Sequence, residues 1–339
     1  MSDLLAGALG VLLATNQPAA LSNLVVQQTG IAVPIRATND PVELEFQKLL
    51  AEDDTAQEAV EQILAASEQA TDPLTAPTRL TMRARMDEHL KPVHEHYEEF
   101  LKRHPGHAPA RMAFGSFLSD TGDEEGAIVE YEKSRELDPK NPAAWNNLAG
   151  IYAHIGPVEK SFPYYTEAIR LNPNEPQYLH SFGTLVFLFR KDATNYFKCD
   201  EQAVFSKALE LYDRALKLDP NNFPLASDVA QTFYGIKPMA TKTPEEAHLA
   251  EVKLADQALA SWTNALRIAH NDEEREGVFL HFARWNLKAG RLDLTRTNLQ
   301  SVTNGMYLPL KQRLERNLVE REASLSTSTT KPGKENGGP

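Results

Sequence analysis

A single cysteine, Cys199, stands in a chain of 339 residues. One thiol cannot close an internal disulfide, so cysteine usage leaves the redox compartment undecided. It also excludes a cysteine zinc cage, and its place far from the N-terminus excludes a lipid-modified N-terminal cysteine. Basic residues are the scarcer charge: 35 Lys and Arg stand against 47 Asp and Glu, a formal net charge of −12. Binding to a phosphate backbone needs clustered Lys and Arg that displace counterions, so nucleic acid is not an expected partner. No apolar run is long enough to span a bilayer. The phosphate-cradling G-x-x-x-x-G-K-[ST], the nucleophile elbow G-x-S-x-G and a strand-linked G-x-G-x-x-G are all missing. No strand alternation could build an α/β site. Asp123, Glu124 and Glu125 fall in a turn and a first helical turn, where they complement the helix dipole. These absences point away from an enzyme and from any cofactor.

Histidine is locally dense, with His89, His94, His96, His104 and His107 in one stretch. A helix-borne metal site wants ligands at i and i+4 on one face, whereas His94 and His96 diverge, and no H-E-x-x-H is present. No metal is expected.

What the chain does have is enough apolar residue, 42%, to fold around a core. Residues 4–14 (LLAGALGVLLA) match the length of a signal-peptide core, and Pro18, Ala19 and Ala20 follow. No Lys or Arg precedes them. The segment reads either as a leader at 4–20 or as a short buried helix, which leaves the compartment open with a cytoplasmic chain favoured over an exported or periplasmic one.

The chain repeats itself with a period of 34 residues. From Asn141 the run carries Trp145, Leu148, Ala149, Tyr152, Gly156, Ser161, Tyr165, Ala168 and Pro173. One period earlier stand Arg111, Phe114, Gly115, Leu118, Gly122, Ala127, Tyr131, Ser134 and Pro139. Val93, Tyr97 and Pro105 fall in register one period before that. Forward, Leu179, Phe182 and Gly183 begin a third unit, whose second helix resumes late with Ala208, Tyr212, Ala215 and Pro220. Phe223, Val229, Ala230 and Phe233 open a fourth, which resumes with Ala258, Trp262 and Ala265. A fifth carries Phe279, Phe282, Ala283, Gly290, Thr295 and Leu299, with Asn286 where an aromatic is usual.

This pattern resembles the tetratricopeptide repeat: W-x2-L-G-x2-Y, then small-x3-aromatic, then proline. The resemblance implies an all-α fold, a right-handed α-solenoid of helix-turn-helix repeats with helical caps. Small residues such as Gly115, Ala149 and Gly183 let paired helices approach. Large ones such as Trp145, Tyr152 and Tyr165 fill the space between units. Gly122 and Gly156 end first helices in a left-handed conformation, and Pro139, Pro173 and Pro220 stop second helices.

The expected organisation is an N-terminal segment with capping helices over 1–73, an array over 74–304, a capping helix over 305–324 and a disordered tail over 325–339. Within the array the units are 108–141, 142–175, 176–222 and 223–272 with insertions, and a degenerate 273–304. Asp40, Pro41 and Glu43 signal a helix start, and Thr55 with Glu58 repeats the signal. Helices are therefore expected at 41–52, 55–70 and 78–104, with a kink at Pro92.

In tetratricopeptide proteins the first helix of each unit lines the inner surface, so the resemblance implies a partner peptide or protein bound there. The positions on that face are Asn146, Asn147 and His154, then His180, Thr184 and Phe187, then His281 and Arg284. The asparagine ladder of some long arrays is not continued. A second candidate is a loop patch. Residues 191–203 and 236–247 read as insertions between first and second helices of consecutive units, and should lie side by side, presenting Tyr196, Phe197, Lys237 and Met239. The function expected is a protein-interaction scaffold without catalytic residues. A non-catalytic substrate-presenting subunit of an enzyme complex and an exported or periplasmic envelope assembly factor stay open beside it. Oligomeric state is not readable.

Overall fold

A computed structural model describes residues 40–68, 79–238 and 240–329. The segment at 4–20, Met239 and residues 330–339 lie outside the described residues. Among the described residues the chain is all-α, with fourteen α-helices, two short 3-10 helices and no strand. None of these helices is long and apolar enough to cross a membrane. The chain forms two compact units, Met1–Tyr178 and Leu179–Pro339.

The first unit contains α1 (Pro41–Glu68), α2 (Arg79–Arg103), α3 (Ala108–Asp120), α4 (Glu124–Leu137), α5 (Pro142–Ile155) and α6 (Ser161–Leu171). Helix starts follow local chemistry. The side chains of Asp123 and Asn141 accept from the backbone N–H groups of Gly126 and Ala143, and Pro142 occupies the first turn of α5. His107 does the same for α3, its Nδ1 accepting from Ala110 N at 3.0 Å. Gly122 and Gly156 follow α3 and α5 with φ of 87° and 78°, as their positions in the repeat require.

The expected break near residue 54 is absent, and α1 runs unbroken to Glu68. Thr55 turns its hydroxyl back to Ala51 O at 2.8 Å instead of capping a new helix. Phe46, Leu49, Ala56 and Val60 are all buried at helical spacing. A continuous apolar stripe outweighs one local start signal, because each buried side chain contributes about 2 kcal/mol and a cap about 1.

The core of this unit joins Phe46 and Leu49 to Val93, Tyr97 and Phe100 of α2, Phe114 and Phe117 of α3, Tyr131 of α4, and Leu148 and Tyr152 of α5. Trp145 does not fill an interior. It is half-buried, donates Nε1–H to Pro139 O at 3.0 Å, and lies under the Arg135 guanidinium.

Helix α7 (Pro176–Leu188) carries the chain into the second unit, with α8 (Arg190–Phe197), α9 (Glu201–Leu218), α10 (Phe223–Thr232), α11 (Pro244–Ile268), α12 (Asp272–Lys288), α13 (Leu292–Gln300) and α14 (Leu308–Thr329). The two insertions are largely helical rather than loops. The first is mostly α8, which ends at Lys198 in the left-handed region (φ 51°). The second is an irregular stretch followed by an N-terminal extension of α11, capped by Thr243. Trp262 and Trp285 anchor the core between α10, α11 and α12. Leu280, Leu299 and Leu318 bind α14 to α12 and α13. Helix covers residues 325–329, where a disordered tail was expected, because no proline or glycine stands before Pro332 to stop it.

Candidate functional site

The tyrosines of the second helices link the core to the first helices. Three of them, Tyr97, Tyr131 and Tyr212, bury the ring and end the hydroxyl on a polar side chain of a first helix, whereas Tyr164 donates to Glu132 of the second helix α4 at 2.7 Å. Tyr97 donates to Asp53 Oδ2 at 2.7 Å. Tyr131 shares a hydrogen bond with Ser116 at 3.0 Å, and Asn147 of the next first helix reaches the same hydroxyl. Within the second unit Tyr212 donates to Thr184 Oγ1 at 3.2 Å. Two glycines make these approaches possible. A Cβ on Gly115 would lie 2.7 Å from the Tyr131 ring, and one on Gly183 would lie 2.6 Å from that of Tyr212.

On the first-helix face of unit 1, Asn147 Nδ2 lies 3.8 Å from Met112 Sδ, and Asn146 donates Nδ2–H to Asn147 Oδ1 at 3.2 Å. Asn146 is buried and its Oδ1 has no partner. His154 is exposed and paired with Glu124. Two further groups join this row, Asp53 and Asp120. Removal from water pushes the Asp53 carboxyl up to about 6, against the Tyr97 hydrogen bond. Asp120 is open to water at its edge yet surrounded by protein, which raises its carboxyl to about 6, and the Asp53 charge adds to the shift.

The observed repeat geometry agrees with comparison to known families. The tetratricopeptide repeat model matches residues 108–141 and 142–175.

Residues 108–175 are two tetratricopeptide repeats.

Among curated proteins, the chain is similar to the Photosystem I assembly protein Ycf3 of Acaryochloris marina, 33% identical over 78 residues, 23% of this chain and 47% of that protein. The chain thus spans about half the length of that relative. Ycf3 of Rippkaea orientalis is 28% identical over 132 residues, 36% of this chain and 76% of the relative. Among solved structures, YrrB, described as a TPR protein with an unusual peptide-binding site, aligns with a TM-score of 0.48 at 15% identity, covering 65% of this chain and 97% of that one.

In the second unit the positions chosen from the repeat pattern fall into two groups. His180 donates Nε2–H to Asp228 Oδ2 at 2.7 Å beside Tyr212 and Thr184, while Phe187 is half-buried against Phe205 and the Arg190 guanidinium. His281 lies flat on Trp262, ring centroids 3.8 Å apart, with Tyr234 Oη 2.9 Å from its Nδ1. Burial, with the Arg284 charge beside it, pulls the His281 imidazole down to about 4, so the ring is neutral at neutral pH. Arg284 is exposed and stands 4.4 Å over the Tyr234 ring.

The insertions meet at Gln202, whose Oε1 accepts from Lys237 N at 2.8 Å and whose Nε2 reaches Gly235 O at 3.5 Å. Tyr196 and Phe197 stand together on α8, Phe197 against Phe182 and beneath the Lys207 ammonium. Lys237 is exposed, and Met239 lies outside the described residues. The clustered histidines take separate partners. His94 packs on Phe114, His96 Nδ1 meets Glu52 at 2.8 Å, and His107 Nε2 meets Glu43 at 3.1 Å.

Asp120 is legible in the sequence, since it stands one period before His154. Asp53 has no such signal, because α1 departs from the repeat spacing.

Proposed function

We propose that the chain is a protein-interaction scaffold, without catalytic residues of its own, that holds a segment of a partner protein on the first-helix faces of its repeats. The observation that carries this reading is the construction of those faces. Polar groups reachable from water are fixed from behind by buried tyrosine rings, at Asp53 and Ser116 in one unit and Thr184 in the other. Groups held this way lose little side-chain freedom on binding, which favours recognition of an extended chain. The similarity to proteins named for photosystem assembly supports a role in which the partner is a component of a larger complex.

The test is affinity capture from the native host with mass spectrometry. Wild type is compared with Asn147→Ala/His154→Ala in the first unit and Arg284→Ala in the second, after circular dichroism shows each variant folded. A partner held by wild type and lost from either variant supports the reading. A partner retained by both variants moves recognition to another surface, such as the one at Tyr196 and Phe197. Absence of any enriched partner refutes the scaffold as stated.

A further inference from the structure

Helices α1 and α2 leave a cleft between them that α3 does not line. Its volume is about 530 Å³, within the roughly 300–1,000 Å³ of pockets that hold ligands. Small side chains make the space. Ala51 and Thr55 stand one turn apart on α1, and Pro92 of α2 lines the cleft with them. At the floor are Ala56 and Val93, 5% and 4% exposed, which belong to the same core as Phe114 of α3. That backing keeps the floor apolar.

The rim is polar, and its acids are carboxylates on both helices. Glu52 stands on α1 and Glu88 on α2, both exposed. Glu52 Oε2 lies 2.8 Å from Nδ1 of His96, a bond that joins the two helices beside the cleft. Glu88 has no hydrogen bond or ion pair from its side chain among the described residues. His89 completes the rim. No Lys or Arg lines the cleft, and Lys91 of α2 is paired with Glu95 at 3.8 Å.

A separate observation calls for a donor. Pro92 stands inside α2 and has no backbone N–H, so the Glu88 carbonyl four residues earlier receives no helical hydrogen bond from it. In a helix that carbonyl points along the axis toward the proline ring, and both residues line the cleft. An apolar floor fits a run of methylenes, and a rim of two carboxylates with an unmatched carbonyl fits a cationic group with several N–H donors. A guanidinium, with five N–H groups in a fixed fork, meets such separate acceptors better than an ammonium does.

We infer that the cleft seats an arginine side chain of a partner protein, its methylenes against Ala51, Ala56 and Pro92 and its guanidinium at Glu52, Glu88 and the Glu88 carbonyl. The seat goes beyond the scaffold reading. It shares no residue with Asn147, His154 or Arg284, so either contact can fail while the other stands.

The probe is a fluorescently labelled glycine–serine peptide with three spaced arginines, beside the same peptide with citrullines, which keep the size and lose the charge. Both are titrated by anisotropy against the full chain at pH 8, above the range in which histidine usually takes up a proton. Glu52→Gln/Glu88→Gln removes the rim charge, and Thr55→Phe fills the cleft without changing charge. Glu136→Gln/Glu159→Gln, at two exposed acidic positions outside the cleft, removes equal charge elsewhere. Circular dichroism first shows each variant folded, and Ala51→Leu replaces Thr55→Phe if that variant does not fold. The expected result is binding of the arginine peptide weakened about fivefold by the rim variant and by the filled cleft, and less than about twofold by the distant variant. The citrulline peptide should bind at least about fivefold more weakly than the arginine peptide. In wild type the ring NMR signals of His89 and His96 shift on binding, and those of His270 do not. Equal loss in all three variants, no loss in the rim variant or the filled cleft, equal binding of the two peptides, or no binding to wild type at about 1 mM overturns the inference.

Discussion

Gly115→Ala is the sharpest test of how these repeats are built. The added Cβ would lie 2.7 Å from both Cδ1 and Cε1 of Tyr131. Carbon atoms pack at about 3.5–4.0 Å, so helix and ring must separate by about 1 Å. The ring has little freedom to do so, being 3% exposed with its hydroxyl tied to Ser116. Overpacking of this kind costs about 1–3 kcal/mol. Replacing glycine by alanine inside a helix returns about 1 kcal/mol. The net expectation is a loss of about 0–2 kcal/mol, with the balance set by the clash. Gly150→Ala is the matched control. Its Cβ would meet Tyr165 Oη at 3.7 Å, an ordinary contact, so the helix term stands alone and the variant gains about 1 kcal/mol. Urea unfolding gives the free energies, and hydrogen exchange in α3 and α4 localises the change, as repeat proteins need not unfold in one step. If Gly115→Ala is as stable as Gly150→Ala, the close approach of α3 and Tyr131 is not what holds this pair together. Shrinking the ring with Tyr131→Leu should remove most of the penalty.

Three further outcomes follow from named groups. The Asp53 carboxyl is raised from 3.8 to about 6 in the fold, so its contribution is full below pH 4 and is lost as pH rises through 6; Asp53→Asn should match wild type near pH 4 and exceed it by at most about 3 kcal/mol at pH 7, in urea midpoints taken across that range. A difference that does not change with pH would contradict this. His281 has the opposite sign, its imidazole being lowered from 6.5 to about 4; its contribution is present above pH 6.5 and falls away toward pH 4 by at most about 3 kcal/mol, and His281→Phe, which keeps a ring on Trp262, should flatten that acid limb of a thermal melt. Lys198 holds a φ of 51°, so Lys198→Gly should raise the melting temperature through a gain of about 1 kcal/mol, and a fall in melting temperature would show that its side chain matters more than its backbone.

The sequence by itself determined the helix pairs and their register. A period of 34 residues fixes which side chains face a neighbouring helix, and capping residues such as Asn141 and Asp123 fix where helices begin. Local chemistry suffices there, because each signal acts within a few residues. It failed at Thr55, where burial of Ala56 and Val60 against a distant helix outweighed a start signal. It failed again in the insertions, where α8 and the extension of α11 formed in place of loops. The candidate site divides in the same way. Asn147, His154, His180 and Arg284 could be named from the period alone. Tertiary structure alone decided that the tyrosine hydroxyls reach through to Asp53, Ser116 and Thr184, and that His281 lies flat on Trp262 as a neutral ring. It also decided that the Asp53 and Asp120 carboxyls are both raised to about 6, with no Lys or Arg paired to either among the described residues. Periodicity says which face a residue occupies. Charge compensation and desolvation depend on atoms brought together from far along the chain, and no local pattern encodes them.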